Sequence, residues 1–206
     1  MALQGAKLAG GNPKNNRIDN DFYATDPIAV QKLLTKYAIN GNEILEPCVG
    51  NGNIANAINN FYTNKVNITG IDIVDRGYPN TIVHDYLTWK TDRKFDCIIT
   101  NPPYSLAKEF IEKSMSLLND GYGEDGLPNG QLIMLLKIQF LEGIKRKKLF
   151  EKYPPKYIYV FRSRMATWNN GQPFDFNGKK WATTICHAWF IWEKGSTTEP
   201  IIRWLD

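Results

Sequence analysis

Glu43-Ile44-Leu45-Glu46-Pro47-Cys48-Val49-Gly50-Asn51-Gly52-Asn53 is a short β-like run that breaks into a glycine turn and leads into the apolar-periodic stretch Ile54–Tyr62. Strand, tight turn and helix in that order make the first half of a βαβ unit. Working outward, the same texture repeats. Further β-like runs lie at Val66–Ile71, Thr81–Val83, Phe95–Thr100, Gln131–Lys137 and Tyr157–Phe161, with helical stretches at Leu106–Leu118 and Leu141–Lys152. This alternation predicts an α/β fold with a mostly parallel sheet, and such sheets bind ligands beyond the carboxyl ends of their strands. Upstream, Asp26-Pro27 reads as an N-cap and a first-turn proline. Val30, Leu33, Leu34 and Tyr37 follow at helical spacing and predict a helix over 27–38. Downstream, residues 162–183 are rich in Arg, Asn, Gly, Trp and Lys without periodicity. They precede the apolar run Thr184–Trp192 and a final run Ile201–Leu205. A sheet finished by a closing hairpin is the simplest architecture, and residues 120–130 read as a loop.

The 206 residues suggest one domain, enough to bury a core without disulfide or metal staples. A hydrophobic fraction of 43% with 22% charged residues excludes disorder and collagen-like repeats. No internal repeat is visible. No apolar stretch of ~18 residues predicts a membrane span. Met1–Asn16 lacks the apolar segment of a secretory signal, so the expected location is the cytoplasm, with residues 1–20 as a flexible arm. The three cysteines, Cys48, Cys97 and Cys186, are far apart, and with only His84 and His187 beside them a zinc site is not expected. The net charge of +4 fits an anionic partner only weakly.

Chemistry is concentrated just after the strands. Gly50 and Gly52 let a ligand approach the backbone, and the helix N-terminus beyond them offers free N–H donors, although a tight turn in any βα unit would look the same. A GxGxxG fingerprint is absent, since position 55 is Ala. Asp72, ending the next strand, can accept two hydrogen bonds from vicinal ribose hydroxyls, or is a solvated strand-end residue. Asp85 suits an exocyclic amine, or caps a turn. The decisive segment is Phe95-Asp96-Cys97-Ile98-Ile99-Thr100-Asn101-Pro102-Pro103-Tyr104. Successive prolines cannot donate backbone hydrogen bonds and fix an extended turn. An Asn side-chain oxygen beside a free carbonyl then makes paired acceptors for one –NH2 group, with Tyr104 as a face for a planar ring. The alternative is a plain Pro-Pro turn.

Together these segments resemble the S-adenosylmethionine-dependent amino-methyltransferases, most closely small phage-type N6-adenine DNA methyltransferases, from Asp21 to about Trp192. The resemblance implies a single Rossmann-like class I methyltransferase domain over residues 21–206, with a seven-stranded, mostly parallel sheet and a closing antiparallel hairpin. It implies transfer of methyl from S-adenosylmethionine to the N6 amine of an adenine flipped out of duplex DNA. In the Asp21–Pro27 segment, Tyr23 and Thr25 would contact the methionine part. Glu46, Pro47, Cys48, Gly50, Asn51 and Gly52 would form the cofactor loop. Asp72 would take the ribose, Ile73 would pack on the cofactor adenine, and Asp85, with Tyr86 beside it, would accept from its N6. Asn101 and the carbonyl of Pro102, held by Pro103, would grip the target amine, and Tyr104 would stack on the base.

These enzymes usually carry a sizeable target-recognition region; between the glycine turn and NPPY there are residues only for the sheet's own elements, and 162–183 is the best candidate for it. Arg162, Arg164, Trp168, Lys179 and Lys180 suit phosphates and base edges there, unless the segment is simply a long hairpin loop with a basic face. Lys145-Arg146-Lys147-Lys148 reads as a solvated helical face. RNA adenine, N4-cytosine and protein glutamine methylation are rival substrates. A cofactor-binding module without activity is the rival class.

Overall fold

The computed structural model describes residues 22–64 and 66–206. The expected arm at 1–20 lies outside the described residues. The elements are β1 (Tyr23–Ala24), α1 (Pro27–Leu34), β2 (Glu43–Glu46), α2 (Asn53–Phe61), β3 (Asn67–Asp72), β4 (Ile82–Val83), β5 (Cys97–Thr100), α3 (Ala107–Leu117), β6 (Gln131–Lys137), α4 (Lys147–Lys152), β7 (Tyr157–Phe161), β8 (Trp168–Asn169), β9 (His187–Glu193) and β10 (Ile201–Leu205).

Asp26 caps α1 as its residue type predicts, its Oδ1 accepting from the Ile28 amide at 2.9 Å. The helix stops at Leu34 instead of residue 38, because the Lys36 and Tyr37 amides both turn back to the Leu33 carbonyl. The helix expected from Leu141 starts only at Lys147. Gly143, at φ +106°, breaks the approach into two short 3₁₀ turns.

Eight strands form the main sheet in the order β10-β7-β9-β6-β5-β2-β3-β4. The closing hairpin is made by β7 and β9, which pair antiparallel across the long excursion 162–186, while β9 also pairs antiparallel with β6. Seven strands were expected, and β10 is the eighth. It crosses to the outside of β7 and runs parallel to it.

Burial on both faces explains the near-continuous apolar runs. Alternate residues of the central strands divide between two cores. Ile98, Leu132, Met134, Ala188 and Phe190 pack with Phe110 and Ile111 of α3 and Leu149 of α4. Cys97, Ile99, Ile133, Leu135 and Trp189 pack with Val30 and Leu33 of α1 and Ile54 and Ile58 of α2. The result is a three-layer sandwich. Polar side chains tie down its amino-terminal edge. Asp96 Oδ2 accepts from the Asn42 and Glu43 amides at 2.9 Å each, and buried Gln131 accepts from the Asn40 amide at 2.7 Å while donating to the Tyr37 hydroxyl and the Ala38 carbonyl.

The topology sets the position of the site. From β2 the chain winds outward to β3 and β4, then returns to β5 and winds the other way. The crevice at this switch, beyond the carboxyl ends of β2 and β5, is where open parallel sheets take ligands. A second, two-stranded ribbon pairs β1 with β8, Tyr23 opposite Asn169 and Ala24 opposite Trp168. It joins the segment before α1 to the 162–186 excursion.

Trp189 is fully buried, and its indole donates to the Ala29 carbonyl at 3.0 Å, locking α1 to the sheet. Trp189→Phe removes volume and the indole hydrogen bond, an expected cost of about 2 kcal/mol or roughly 4–8 °C in the thermal midpoint. An unchanged midpoint would show that α1 is held by its apolar face alone.

Candidate active site

At the end of β2 the chain turns through Gly50 and Gly52, at φ +54° and +84°, before entering α2. The Val49 amide donates to the Ile71 carbonyl of β3, and the Gly52 amide returns to the Val49 carbonyl, so the turn is fixed by backbone bonds. Two carboxylates hold it further. Buried Glu46 accepts from the Ala55 amide at 3.0 Å with Oε2, satisfying a donor in the first turn of α2. Asp72 accepts from the Gly50 amide at 2.9 Å with Oδ2 and from the Val74 amide at 3.1 Å with Oδ1. Asp72 therefore braces the turn, and each oxygen keeps a second lone pair for a ligand. Ile73 beside it is exposed, an apolar face at the crevice.

Burial holds the Glu46 carboxyl well above the usual carboxylate range, reinforced by the Asp72 charge and offset in part by the Ala55 amide. Burial and the same Asp72 charge push the Cys48 thiol up, so it stays protonated at neutral pH.

The glycines serve a different neighbour from the one the sequence suggests. A Cβ on Gly50 would lie 2.3 Å from the Phe22 ring, and one on Gly52 would lie 2.2 Å from the Tyr78 ring. The missing side chains make room for two aromatic rings instead of leaving bare backbone for a ligand. The Arg76 guanidinium sits 4.6 Å from the Phe22 centroid. Neither Tyr78 nor Arg76 was foreseeable, because the contacts join the turn to residues more than twenty positions away.

Beyond β5, Asn101 Nδ2 donates to the Tyr23 carbonyl at 3.0 Å. A carbonyl can only accept, so this bond commits the amide nitrogen and leaves Oδ1 as an acceptor. Among the described residues no donor reaches Asn101 Oδ1 or the Pro102 carbonyl, whereas the Pro103 carbonyl takes the Leu106 amide at 2.8 Å. Tyr104 is half-buried, and burial pushes its phenol up. Its ring centroid lies 5.9 Å from that of His187, and the Lys137 ammonium sits 5.2 Å over it. His187 Nδ1 is 3.0 Å from the Met165 carbonyl and so carries the hydrogen. Burial lowers the His187 pKa, with Lys137 and Arg164 pushing the same way, so the ring is neutral.

Among the described residues, four buried side-chain oxygens have no hydrogen-bond partner: Thr25 Oγ1, Asn51 Oδ1, Thr100 Oγ1 and Asn169 Oδ1. They converge on one neighbourhood. The Thr25 carbonyl accepts from Asn53 Nδ2 in α2, Asn169 pairs with Tyr23, Thr100 precedes Asn101, and Gly171 closes on Asn51. Unsatisfied buried acceptors in a folded protein mark a place for a ligand or water with donors.

Other expected site residues fall differently. Asp85 is exposed and caps a turn, Oδ1 accepting from the Leu87 amide at 2.9 Å. The Tyr86 side chain is a core member and does not line the crevice. Its ring packs 4.9 Å from Phe110 and its hydroxyl bonds Ser114, because the residue after an exposed strand-end turn points inward. Arg162 is paired with Asp206 at 2.8 Å and lies over Trp204, whereas Arg164, Lys179 and Lys180 are exposed. Trp168 sits in β8. In the basic run, Lys147 pairs with Glu151 and Arg146 covers Phe140, a solvated surface. Among the described residues no group of three or more His, Cys, Asp or Glu could hold a metal ion, and no helix is long and apolar enough to cross a membrane.

The raised Glu46 carboxyl has a testable consequence. The unfolded chain ionises it at an ordinary pKa while the folded chain resists, so its contribution to stability is full at low pH and is lost as pH rises. Glu46→Gln keeps the acceptor for Ala55 and cannot ionise. Its thermal midpoint relative to wild type should rise by at least about 2 °C between about pH 5 and pH 8. A constant difference would mean that Glu46 ionises normally in the fold.

No protein-family model matches the sequence. The type II methyltransferase M.CvrRI of Paramecium bursaria Chlorella virus XZ-6E is 45% identical over 69 residues, 30% of this chain and 18% of that protein. The match therefore spans less than a fifth of the viral relative's length. A Listeria monocytogenes protein assigned to the class I S-adenosylmethionine-dependent methyltransferases superposes with a TM-score of 0.60 at 16% identity, covering 98% of this chain and 71% of that one. A type I restriction-modification methyltransferase subunit from Streptococcus thermophilus superposes with a TM-score of 0.59 at 16% identity, covering 88% of this chain and 47% of that one. The chain has the fold of the class I S-adenosylmethionine-dependent methyltransferases.

Proposed function

We propose that the chain transfers a methyl group from S-adenosylmethionine to the exocyclic N6 amine of an adenine flipped out of duplex DNA. One observation carries this reading. The Tyr23 carbonyl commits the Asn101 amide nitrogen and leaves Oδ1 as an acceptor, next to a Pro102 carbonyl that accepts nothing among the described residues, at the switch point of the sheet.

The residues present suit the cofactor. Unsatisfied Thr25, Asn51 and Thr100 oxygens offer acceptors to an ammonium, and the Asp72 side chain adds two more oxygens at the crevice. Asp72 has lone pairs left for ribose hydroxyls, and exposed Ile73 and Asp85 lie beyond it for an adenine. When bound, the cofactor supplies an electrophilic methyl on a sulfonium sulfur.

The chain's own work is positional. An aromatic amine is a weak nucleophile because its lone pair is delocalised into the ring. Two acceptors, Asn101 Oδ1 and the Pro102 carbonyl, would draw on both N–H bonds and favour a tetrahedral nitrogen with its lone pair aimed outward. No strong base is needed, and the neutral His187 and protonated Tyr104 fit a site that stabilises by orientation and electrostatics. Tyr104 would stack on the extruded base and offset part of the few kcal/mol that flipping costs. The names of the viral relative and of the Streptococcus subunit support DNA as the substrate class.

The test is incubation with tritiated S-adenosylmethionine and unmethylated duplex DNA, single-stranded DNA or tRNA, followed by nucleoside analysis. Label in N6-methyladenine from duplex DNA is expected. Label confined to tRNA would redirect the reading to RNA, and cofactor binding with no acceptor would favour a non-enzymatic module. Asn101→Ala should lower transfer by at least about 100-fold while cofactor affinity stays within about threefold. Equal loss of both would make Asn101 a structural residue.

A further inference from the structure

Between β8 and β9 the chain builds a small finger. Phe174 and Lys180 face each other in an antiparallel bridge, the Asp175 amide donates to the Lys179 carbonyl at 2.8 Å, and the Gly178 amide returns to the Asp175 carbonyl at 3.0 Å. Asp175 Oδ1 accepts from the Asn177 and Lys179 amides at 2.9 Å each, so its charge is spent inside the turn. At the base, the Trp181 indole donates to the Gln172 carbonyl at 2.7 Å, and the Gln172 amide to the Asn169 carbonyl of β8 at 3.1 Å. These bonds preorganise a tip whose central side chain is apolar and wholly solvated. Phe176 is 96% exposed, the highest value for any large apolar side chain among the described residues.

A lone exposed apolar residue needs no explanation on an ordinary surface. This one stands at the apex of a clamped turn, with Lys179 and Lys180 exposed on the returning strand. The finger is also anchored to the corner that holds Asn101. Its base bonds β8, β8 pairs with β1, the Asn170 amide donates to the Phe22 carbonyl at 2.7 Å, and the Tyr23 carbonyl orients Asn101. Phe176 lies four residues past Gln172, a reach of up to about 13 Å at extended rise, or roughly four base steps along a strand.

We propose that this finger is a DNA wedge: Lys179 and Lys180 engage phosphates while Phe176 inserts between base pairs beside the target, unstacking the step from which the adenine leaves. Apolar side chains at the tips of basic elements act in this way in proteins that kink DNA. The proposal rests on the DNA-methyltransferase reading above and adds the residue that opens the duplex.

The experiment measures transfer from tritiated S-adenosylmethionine to unmethylated bacterial genomic duplex, with filter binding to the same DNA, for wild type and for Phe176→Ala, Phe176→Lys and Phe176→Trp. The Ala and Lys variants should lose at least about tenfold in transfer while binding stays within about threefold, and Trp should keep wild-type transfer within about twofold. All three should unfold at the wild-type temperature, since Phe176 touches solvent. Wild-type transfer by Phe176→Lys, or loss by Phe176→Trp as large as that of Phe176→Ala, would overturn the wedge. So would a loss of binding that accounts for the whole loss of transfer. A wild-type chain that labels no duplex would instead sink the DNA reading itself.

Discussion

A single hydrogen bond organises the site, from the Asn101 amide nitrogen to the Tyr23 backbone carbonyl. An unrestrained Asn side chain presents donor or acceptor with little preference. Here the partner is a group that cannot donate, so the amide nitrogen is committed and Oδ1 is left as the free acceptor. The two prolines that follow remove competing N–H groups and hold the corner rigid. The consequence is that the segment before α1, distant in sequence, completes the end of β5. The β1–β8 ribbon extends this dependence to the 162–186 excursion. Any disturbance of that ribbon is felt at the amide.

The electrostatics of the crevice follow from its place in the fold. Strand ends carry Glu46 and Asp72 to the glycine turn. Backbone amides of the glycine turn and α2 donate to both side chains, while burial keeps the Glu46 carboxyl protonated. The turn thus has two functions, presenting acidic groups and being held by them. Phe22 and Tyr78, packed where glycine side chains would be, shield this arrangement from above. The buried unpaired oxygens of Thr25, Asn51, Thr100 and Asn169 are the remaining imbalance, and a polar ligand is what would relieve it.

Much of this was legible in the residues. The strand–turn–helix reading of Glu43–Tyr62 placed the glycine turn correctly, and Gln131–Lys137, Tyr157–Phe161 and Ile201–Leu205 match their strands to the residue. Apolar periodicity sufficed because both faces of the sheet are buried. What periodicity does not encode is pairing order, so the position of β10 outside β7 had to come from tertiary packing. Local breakers also beat periodicity: Gly143 shortened α4, and the Leu33 carbonyl ended α1 early. At the site, residue type pointed to Asn101 and Asp72, and the family resemblance to Glu46, but neither pointed to their partners. Tyr23 acts through its backbone, Tyr78 and Arg76 through contacts across the fold, and Tyr86 was misplaced because a one-residue shift at a strand end exchanges crevice for core.

The central claim concerns the direction of one amide. A crystal structure of the chain with S-adenosylhomocysteine measures it directly. Asn101 Nδ2 should remain on the Tyr23 carbonyl, with Oδ1 and the Pro102 carbonyl each about 3 Å from one point on the side of the cofactor sulfur. An amide turned the other way, or a sulfur on the far side of the glycine turn, would contradict it.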